Sequence, residues 1–280
     1  MMLKLSLECD ALGTHWWIEL PEGSSETAIK KRMLARITSF ESDYSRFLPT
    51  SYVGRHNANK SIEHPPQELL AMLAFARDIY MVSGRIFNIS VGGTLTQLGY
   101  GKGQPESRLG QTFWEQVLVS ERMITIPRNV EIDLGGFGKG WLIDALGELL
   151  RSQGYSEFMI NGGGDILVSS DEPIEFALEH PLKNATKVGT TRISHGALAV
   201  SSTTKRVWKQ GTKSYHHIID PRQETSSTSD IVATYIRAET ALIADTMATI
   251  LLIAPELRGA LTERYDLQSI LLDKTALSKS

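Results

Sequence analysis

Four stretches of the chain repeat apolar residues at helical spacing, each bounded by residues that start or stop a helix. From Ser24 to Phe40, the residues Ile29, Met33, Ile37 and Phe40 recur every three or four positions behind two candidate caps, Ser24 and Ser25. From Pro66 to about Val82, Leu69, Leu73, Ala76 and Tyr80 share one face, and Gly84 stands as the stop. A third helix is predicted to start near Lys139, carry Leu142, Ala145, Leu146 and Leu149, and end at Gly154. A fourth follows Thr240 with Ile243, Met247, Ile250 and Leu251 until Pro255 ends it. Between them, short β-branched runs predict strands at Val117 to Val119, Met123 to Ile126, Ile174 to Leu178, His217 to Ile219, Ile231 to Ile236 and Gln268 to Leu272. Several runs lie close enough to pair as hairpins, and their order lacks the regular rhythm of βαβ units. The expectation is therefore an α+β fold with mainly antiparallel sheets and packed helices. No repeat, low-complexity tract or long linker interrupts the chain, so a single large domain of two intimate halves over residues 1–280 is expected. The nearest approach to a break is the loop-like run from Gly99 to Pro105, Gly-Tyr-Gly-Lys-Gly-Gln-Pro.

Composition narrows the functional classes. The 280 residues are 41% apolar and carry 29 basic against 32 acidic side chains, a formal net charge of -3. The basic residues form no dense cluster, so the field that non-specific nucleic-acid binding needs is lacking, and no nucleic-acid partner is expected. No stretch approaches the roughly 20 apolar residues that span a bilayer, and the opening residues hold no continuous apolar run before Cys9, so neither membrane insertion nor export is expected and a cytoplasmic location is. The lone Cys9 has no partner for an internal disulfide and excludes zinc sites built on several cysteines.

Two glycine-rich stretches beside predicted strands carry the chemical signal. In the first, Asp133-Leu134-Gly135-Gly136-Phe137-Gly138-Lys139-Gly140 runs straight into the third helix, where glycines admit an anion and the helix start supplies N–H groups and a positive dipole end. It is not a Walker loop, because Gly140 stands where Ser or Thr belongs after Gly-Lys. A tight turn is its ordinary alternative. In the second, Asn161-Gly162-Gly163-Gly164-Asp165 follows the strand-like Phe158-Met159-Ile160. Close backbone approach to a ligand and a glycine-rich hairpin both account for it.

The order of these loops and of several further motifs resembles the ApbE family of FAD:protein FMN transferases. Gly13-Thr14 is similar to that family's Gly-Thr motif, and Ser45-Arg46-Phe47-Leu48-Pro49-Thr50-Ser51, with Asn57 beyond it, to its Ser-Arg-Phe-x-Pro-x-Ser segment. The run Ser83 to Gly92 resembles S-G-G-x-F-D-I-T-V-G, Asp133 to Asp144 resembles D-L-G-G-I-A-K-G-Y-A-V-D, and Asn161 to Asp165 resembles N-A-G-G-D. His217 to Arg222 matches H-I-I-D-P-R, and Ala244 to Thr249 is similar to A-D-A-L-A-T. The shared order spans residues 11–253. Departures fall at Leu12 for a methionine, Asn88 for an aspartate, Leu98 for a tryptophan, and Gln223-Glu224 for Thr-Gly.

The resemblance implies an ApbE-like fold related to the T-fold, FAD as substrate, a divalent cation (Mg2+, with Mn2+ as the alternative), and an acceptor flavoprotein or flavin-carrying subunit of a redox enzyme. Asp245 and Thr249, at i and i+4 on the fourth helix, emerge on one face and reach the same ion. A solvent-facing helix carboxylate that contributes little to packing is expected at Asp245. The resemblance adds the backbone carbonyl of Gly138 and, for the ion or its water shell, Asp165. His216 and His217 adjoin in a predicted strand, which points them to opposite faces; the resemblance selects His217 as the base. It implies Phe47 as the ring stacked on the flavin with Leu12 opposite, Asp133 on the adenosine portion, and Lys139 near the phosphates. The N–H groups around Gly136 to Gly140 face the pyrophosphate, and Phe137 and Ile218 complete the implied binding set. His15, His56, His64, His180 and His195 have no motif context. A metal-dependent FAD pyrophosphatase and a non-catalytic FAD-binding protein are the competing functions.

Overall fold

A computed structural model describes residues 3–21, 26–101, 113–183 and 185–275. In chain order these form β1 (Leu3–Ala11), β2 (Thr14–Pro21), α1 (Glu26–Tyr44), α2 (Tyr52–Asn59), β3 (Ser61–Glu63), α3 (Gln67–Val82), α4 (Gly92–Gln97), α5 (Phe113–Gln116), β4 (Leu118–Val119), β5 (Met123–Thr125) and α6 (Gly138–Ser152). There follow β6 (Phe158–Gly162), β7 (Asp165–Glu179), β8 (Lys187–Ser202), β9 (Val207–Gln210), β10 (Lys213–His216), β11 (Ile219–Asp220), β12 (Thr225–Ser226), β13 (Ile231–Ala238), α7 (Ala241–Ile253), a 3-10 turn at Pro255–Leu257, α8 (Arg258–Tyr265) and β14 (Gln268–Asp273). The chain divides into two compact units, unit 1 of Met1–Glu41, Gly135–Ser202 and Asp230–Ser280, and unit 2 of Ser42–Leu134 and Thr203–Ser229.

Unit 1 is built on a seven-stranded sheet in the order β1-β2-β6-β7-β8-β13-β14, antiparallel at every pairing. All five residues of β6 are buried, which fits a strand covered on both faces. Alternation sends Phe158 and Ile160 to one face and Met159 to the other; Arg151 of α6 lies over the Phe158 ring, and Met159 joins Val168, Leu178, Ile193 and Tyr235 in a separate apolar cluster. Helix α6 buries Leu142, Ile143, Leu146 and Leu150. Helix α7 is buried nearly all round and packs on α6, β8 and β13, which explains why its sequence is almost continuously apolar rather than amphipathic.

Unit 2 holds α2, α3 and α4, the small antiparallel sheet β3-β5-β4, and the paired strands β9-β10 and β11-β12. Helix α3 buries the Leu69, Leu73, Ala76 and Tyr80 face read from its periodicity. The Asn57 side chain donates to the Ile132 carbonyl at 2.9 Å and accepts the Ile132 N–H at 2.8 Å, which ties α2 to the segment leading into the first glycine loop.

The α+β expectation is met, and the third and fourth predicted helices match α6 and α7 closely. The first runs on to Tyr44, four residues past Phe40, while its candidate caps Ser24 and Ser25, and residues 102–105 of the predicted loop, lie outside the described residues. The strand predicted at Ile174 to Leu178 is one part of the 15-residue β7, paired with the 16-residue β8. Pattern reading passes over β8 because its Gly, Thr, Ser and charged residues carry no apolar alternation, and backbone pairing with β7 and β13 holds it instead. The strand expected at His217 to Ile219 is displaced: β10 ends at His216, His217 lies in a bend, and β11 begins at Ile219. The alternation argument separating the two histidines therefore does not apply.

Candidate active site

In unit 1 the first glycine loop delivers the chain into α6. Phe137 takes the N-cap position, and Gly138, Lys139 and Gly140 form the first turn, whose N–H groups have no partner within the helix. One of them is claimed from outside: the Gly140 N–H donates to Asp245 Oδ2 of α7 at 3.0 Å. This approach requires glycine, because a Cβ at position 140 would overlap the carbonyl of Ala241 at the start of α7. One turn further on, the Asp144 carboxylate accepts the N–H groups of Ala241 at 2.9 Å and Leu242 at 2.8 Å, while Thr240 Oγ1 accepts that of Ile243. A side chain of α6 thus caps α7 jointly with that helix's own N-cap, and so sets where Asp245 stands. Burial pushes the Asp144 carboxyl up to about 6, against the pull of the two N–H groups.

Lys139 reaches from α6 to two carboxylates. Its Nζ bonds Asp165 Oδ2 at the first position of β7 and lies 3.2 Å from Asp245 Oδ2. Asp165 Oδ1 accepts the Val200 N–H of β8 at 3.2 Å. Both carboxylates are buried, Asp165 at 2% and Asp245 at 3% exposure. Asp245 is therefore not the solvent-facing carboxylate expected; α7 is enclosed, and the side chain lies in a polar pocket made by the start of α6. Burial holds the Asp245 carboxyl above its ordinary range; Lys139 opposes this and the Asp165 charge adds to it. Burial also disfavours charge on Lys139, but the two carboxylates outweigh it and keep the ammonium charged beyond the usual lysine range. Thr249 follows one turn after Asp245 on α7, with its Oγ1 3.4 Å from Ser201 Oγ of β8. Gly138 is buried at the first residue of α6.

This donor set suits a hard divalent cation. Two buried carboxylates and a threonine hydroxyl offer oxygen only, and ions of the Mg2+ type need one or two carboxylates when water and substrate phosphate complete the shell. An ammonium already sits against both carboxylates, so positive charge is what the site demands.

The second glycine loop resolves to the plainer of its two readings. Gly162 pairs with Asp165, and the intervening Gly163 and Gly164 both have positive φ, 71° and 101°, as a two-residue primed hairpin turn requires. A Cβ on Gly163 would run into the Thr14 side chain. Asn161 Oδ1 accepts the Gly164 N–H at 2.8 Å. The turn's contribution is to place Asp165. Leu12 occupies a similar corner between β1 and β2, with φ 52° and its N–H donated to Glu41 Oε1 at 2.9 Å.

Unit 2 carries the remaining expected residues. Arg46, almost fully buried, places its Nε 2.7 Å from Asp133 Oδ2; the N–H is not aimed along that line, so the contact is one of charge. Its other nitrogens donate to the carbonyls of Gly92 and Tyr100 and to Thr96 Oγ1. Asp133 is thereby engaged inside the unit. Phe47 remains 52% exposed, with the Arg46 guanidinium 4.7 Å from its ring centroid, Tyr100 edge-on at 5.9 Å, and Gly101 so close that a Cβ there would come within 2.6 Å of the ring. Trp208 of β9 stacks on Tyr100 at 4.9 Å and donates to the Leu98 carbonyl. His217 is half-buried. His216 is fastened, with Nε2 against the Ser227 carbonyl at 3.1 Å, and burial lowers its pKa although that carbonyl favours the protonated ring. Phe137 at 0% and Ile218 at 5% exposure are core side chains; in both the backbone is what a ligand can meet, a correction to the binding set inferred from sequence.

Three residues of this framework had no assigned role in the sequence reading. Arg46 and Asp144 lie inside motifs that were noticed, and their polarity at otherwise structured positions was the available signal. Ser201 had none, since only the pairing of β8 with β13 brings it to Thr249.

Comparison with known proteins agrees with this arrangement. The sequence profile of the ApbE family matches residues 12–271. Among curated relatives, a FAD:protein FMN transferase of Klebsiella pneumoniae is 26% identical over 235 residues, covering 79% of this chain and 72% of its own length. One from Vibrio cholerae is 26% identical over 266 residues, covering 87% and 78%. The fold is similar to the crystal structure of the ApbE protein of Thermotoga maritima, with a TM-score of 0.84 at 19% identity over 98% of this chain and 95% of that one. It is also similar to the flavin transferase ApbE of Vibrio cholerae, with a TM-score of 0.81 at 20% identity over 98% and 94%. With that profile running from the first hairpin to the last strand, the chain belongs to the ApbE family.

Proposed function

We propose that this protein is a FAD:protein FMN transferase that moves FMN from FAD onto a threonine or serine hydroxyl of an acceptor flavoprotein. The observation that carries the reading is the convergence in unit 1 of Asp165 and Asp245, from separate elements, on the start of a glycine-opened helix. In the reaction the acceptor oxygen forms a bond to the FMN-side phosphorus of the pyrophosphate. The bond from that phosphorus to the bridging oxygen breaks, AMP leaves, and the hydroxyl proton passes to a base.

Each demand has a residue in this chain. Asp245, Thr249 and the Gly138 carbonyl, with Asp165, are the groups that would hold Mg2+ or Mn2+; the ion, when bound, supplies the positive charge that offsets the pyrophosphate and the departing AMP. The free N–H groups of the first turn of α6 face phosphate oxygens favourably. His217 takes the hydroxyl proton as general base, a task suited to an imidazole near neutral pH. Phe47 supplies an exposed ring for the isoalloxazine, fixed from below by Arg46 and Gly101. Among the described residues no helix is long and apolar enough to cross a membrane, and the proposal places enzyme and acceptor in the cytoplasm or facing it.

The test is incubation with FAD, Mg2+ and a panel of flavin-carrying redox subunits, read by intact-protein mass and AMP release. A mass gain of one FMN on a Thr or Ser, lost with Asp245→Asn, supports the proposal. AMP release at the same rate with and without every acceptor establishes the pyrophosphatase instead, and tight FAD binding without turnover establishes a storage protein.

A further inference from the structure

The metal part of that proposal has a consequence for Lys139, and the inference here rests on it. We infer that Lys139 is a tethered counter-cation, whose ammonium holds Asp165 and Asp245 together while no divalent ion is present and withdraws from them when one binds.

Three observations carry this. The ammonium touches the same two carboxylates that the metal reading needs, and it is the one cationic group among the described residues paired with either. Charge then decides what happens on loading. Two carboxylates with the ammonium leave one net negative charge, a divalent ion added beside the ammonium leaves one net positive charge, and the divalent ion alone leaves none. In a site where both carboxylates are buried, an uncompensated charge of either sign is strongly disfavoured, so the neutral combination with the ammonium withdrawn prevails. The third observation is position. Lys139 lies in the first turn of α6, the helix end at which a cation is electrostatically disfavoured; only the carboxylates keep the ammonium there. About a fifth of the side chain, 20%, is open to solvent, so a flexible lysine stem has a way out. The metal therefore binds against an internal competitor.

Titration of Mn2+ into the full chain without FAD, followed by the electron-paramagnetic signal of the free ion, separates this from its premise. Lys139→Met should bind Mn2+ at least about tenfold more tightly than the parent, since removing a unit charge next to a buried ion changes its energy by far more than thermal energy. It should also melt lower than the parent without metal and regain most of that loss at saturating Mn2+. Equal or weaker Mn2+ binding by Lys139→Met overturns the inference, because a lysine that merely braces the two carboxylates makes the site worse when removed. Asp245→Asn tests the premise separately: it should weaken Mn2+ at least about tenfold, and unchanged affinity sinks the metal assignment itself. Should Lys139→Met fail to fold, the parent alone answers. Reductive methylation read by peptide mass should label Lys139 faster with Mg2+ than without it, and labelling that is unchanged or slower with Mg2+ refutes the withdrawal.

Discussion

Acid should unfold this protein partly through one histidine remote from the metal residues. His56 in α2 is completely buried, and neither ring nitrogen has a hydrogen-bond partner among the described residues. Burial, with the Lys60 charge adding to it, lowers its pKa from 6.5 to about 4. A depressed folded-state value means that the unfolded chain takes up the proton first. The stability associated with the neutral ring is present above pH 6.5 and drains away as pH falls through the window down to about 4. Integrating proton uptake over that window gives a loss of about 3 kcal/mol by pH 4, a large fraction of the 5–15 kcal/mol typical of a domain. His56→Leu, similar in volume and without orphaned nitrogens, should be at least as stable as the parent near neutral pH, since an unsatisfied buried polar atom costs about 1–3 kcal/mol. Urea unfolding curves followed by tryptophan fluorescence at a series of pH values would give both stabilities. The parent-minus-variant difference should move by about 3 kcal/mol between pH 7 and 4. Parallel losses for the two proteins across that range would show that His56 is not the neutral, buried ring the structure describes.

Three other outcomes are expected. Gly140→Ala should lower the melting temperature: alanine gains about 1 kcal/mol of helix propensity, but overlap with the Ala241 carbonyl costs about 1–3 kcal/mol and loosens the bond from Gly140 to Asp245; a rise in Tm would refute the close packing of α6 on α7. Phe47→Ala should leave the melting temperature nearly unchanged, because the ring is half exposed, yet weaken FAD about tenfold through lost stacking with no effect on AMP. Calorimetric titration showing equal losses for both ligands would remove Phe47 from the flavin. His217→Ala should slow single-turnover transfer by about 10²–10⁴ at unchanged melting temperature, whereas His216→Ala should chiefly destabilise, having lost its bond to the Ser227 carbonyl; the reverse pattern would reassign the base.

What was legible in the sequence was whatever local spacing encodes. Helices α3, α6 and α7 were readable because apolar positions one turn apart, bounded by Pro66, Thr240 and Gly154, specify a helix within a dozen residues, with no reference to distant chain. The motif order likewise marked Asp165, Lys139 and Asp245 as chemical. Their meeting was not readable, since Lys139 is 26 residues from Asp165 and 106 from Asp245, and only the stacking of α6 on α7 and the register of β6 with β7 close those gaps. Burial was misjudged for a related reason. An aspartate in a helix faces water on most surfaces, but α7 is covered by α6 and by β8 and β13 of the same sheet, so Asp245 is desolvated and takes on the charge balance that Lys139 completes. The three glycines before Asp165 show the converse: their spacing suited a ligand cradle and a hairpin equally, and the strand pairing across Gly162 and Asp165 decided for the hairpin, because backbone hydrogen bonds formed over distance outweigh any preference two glycines hold alone.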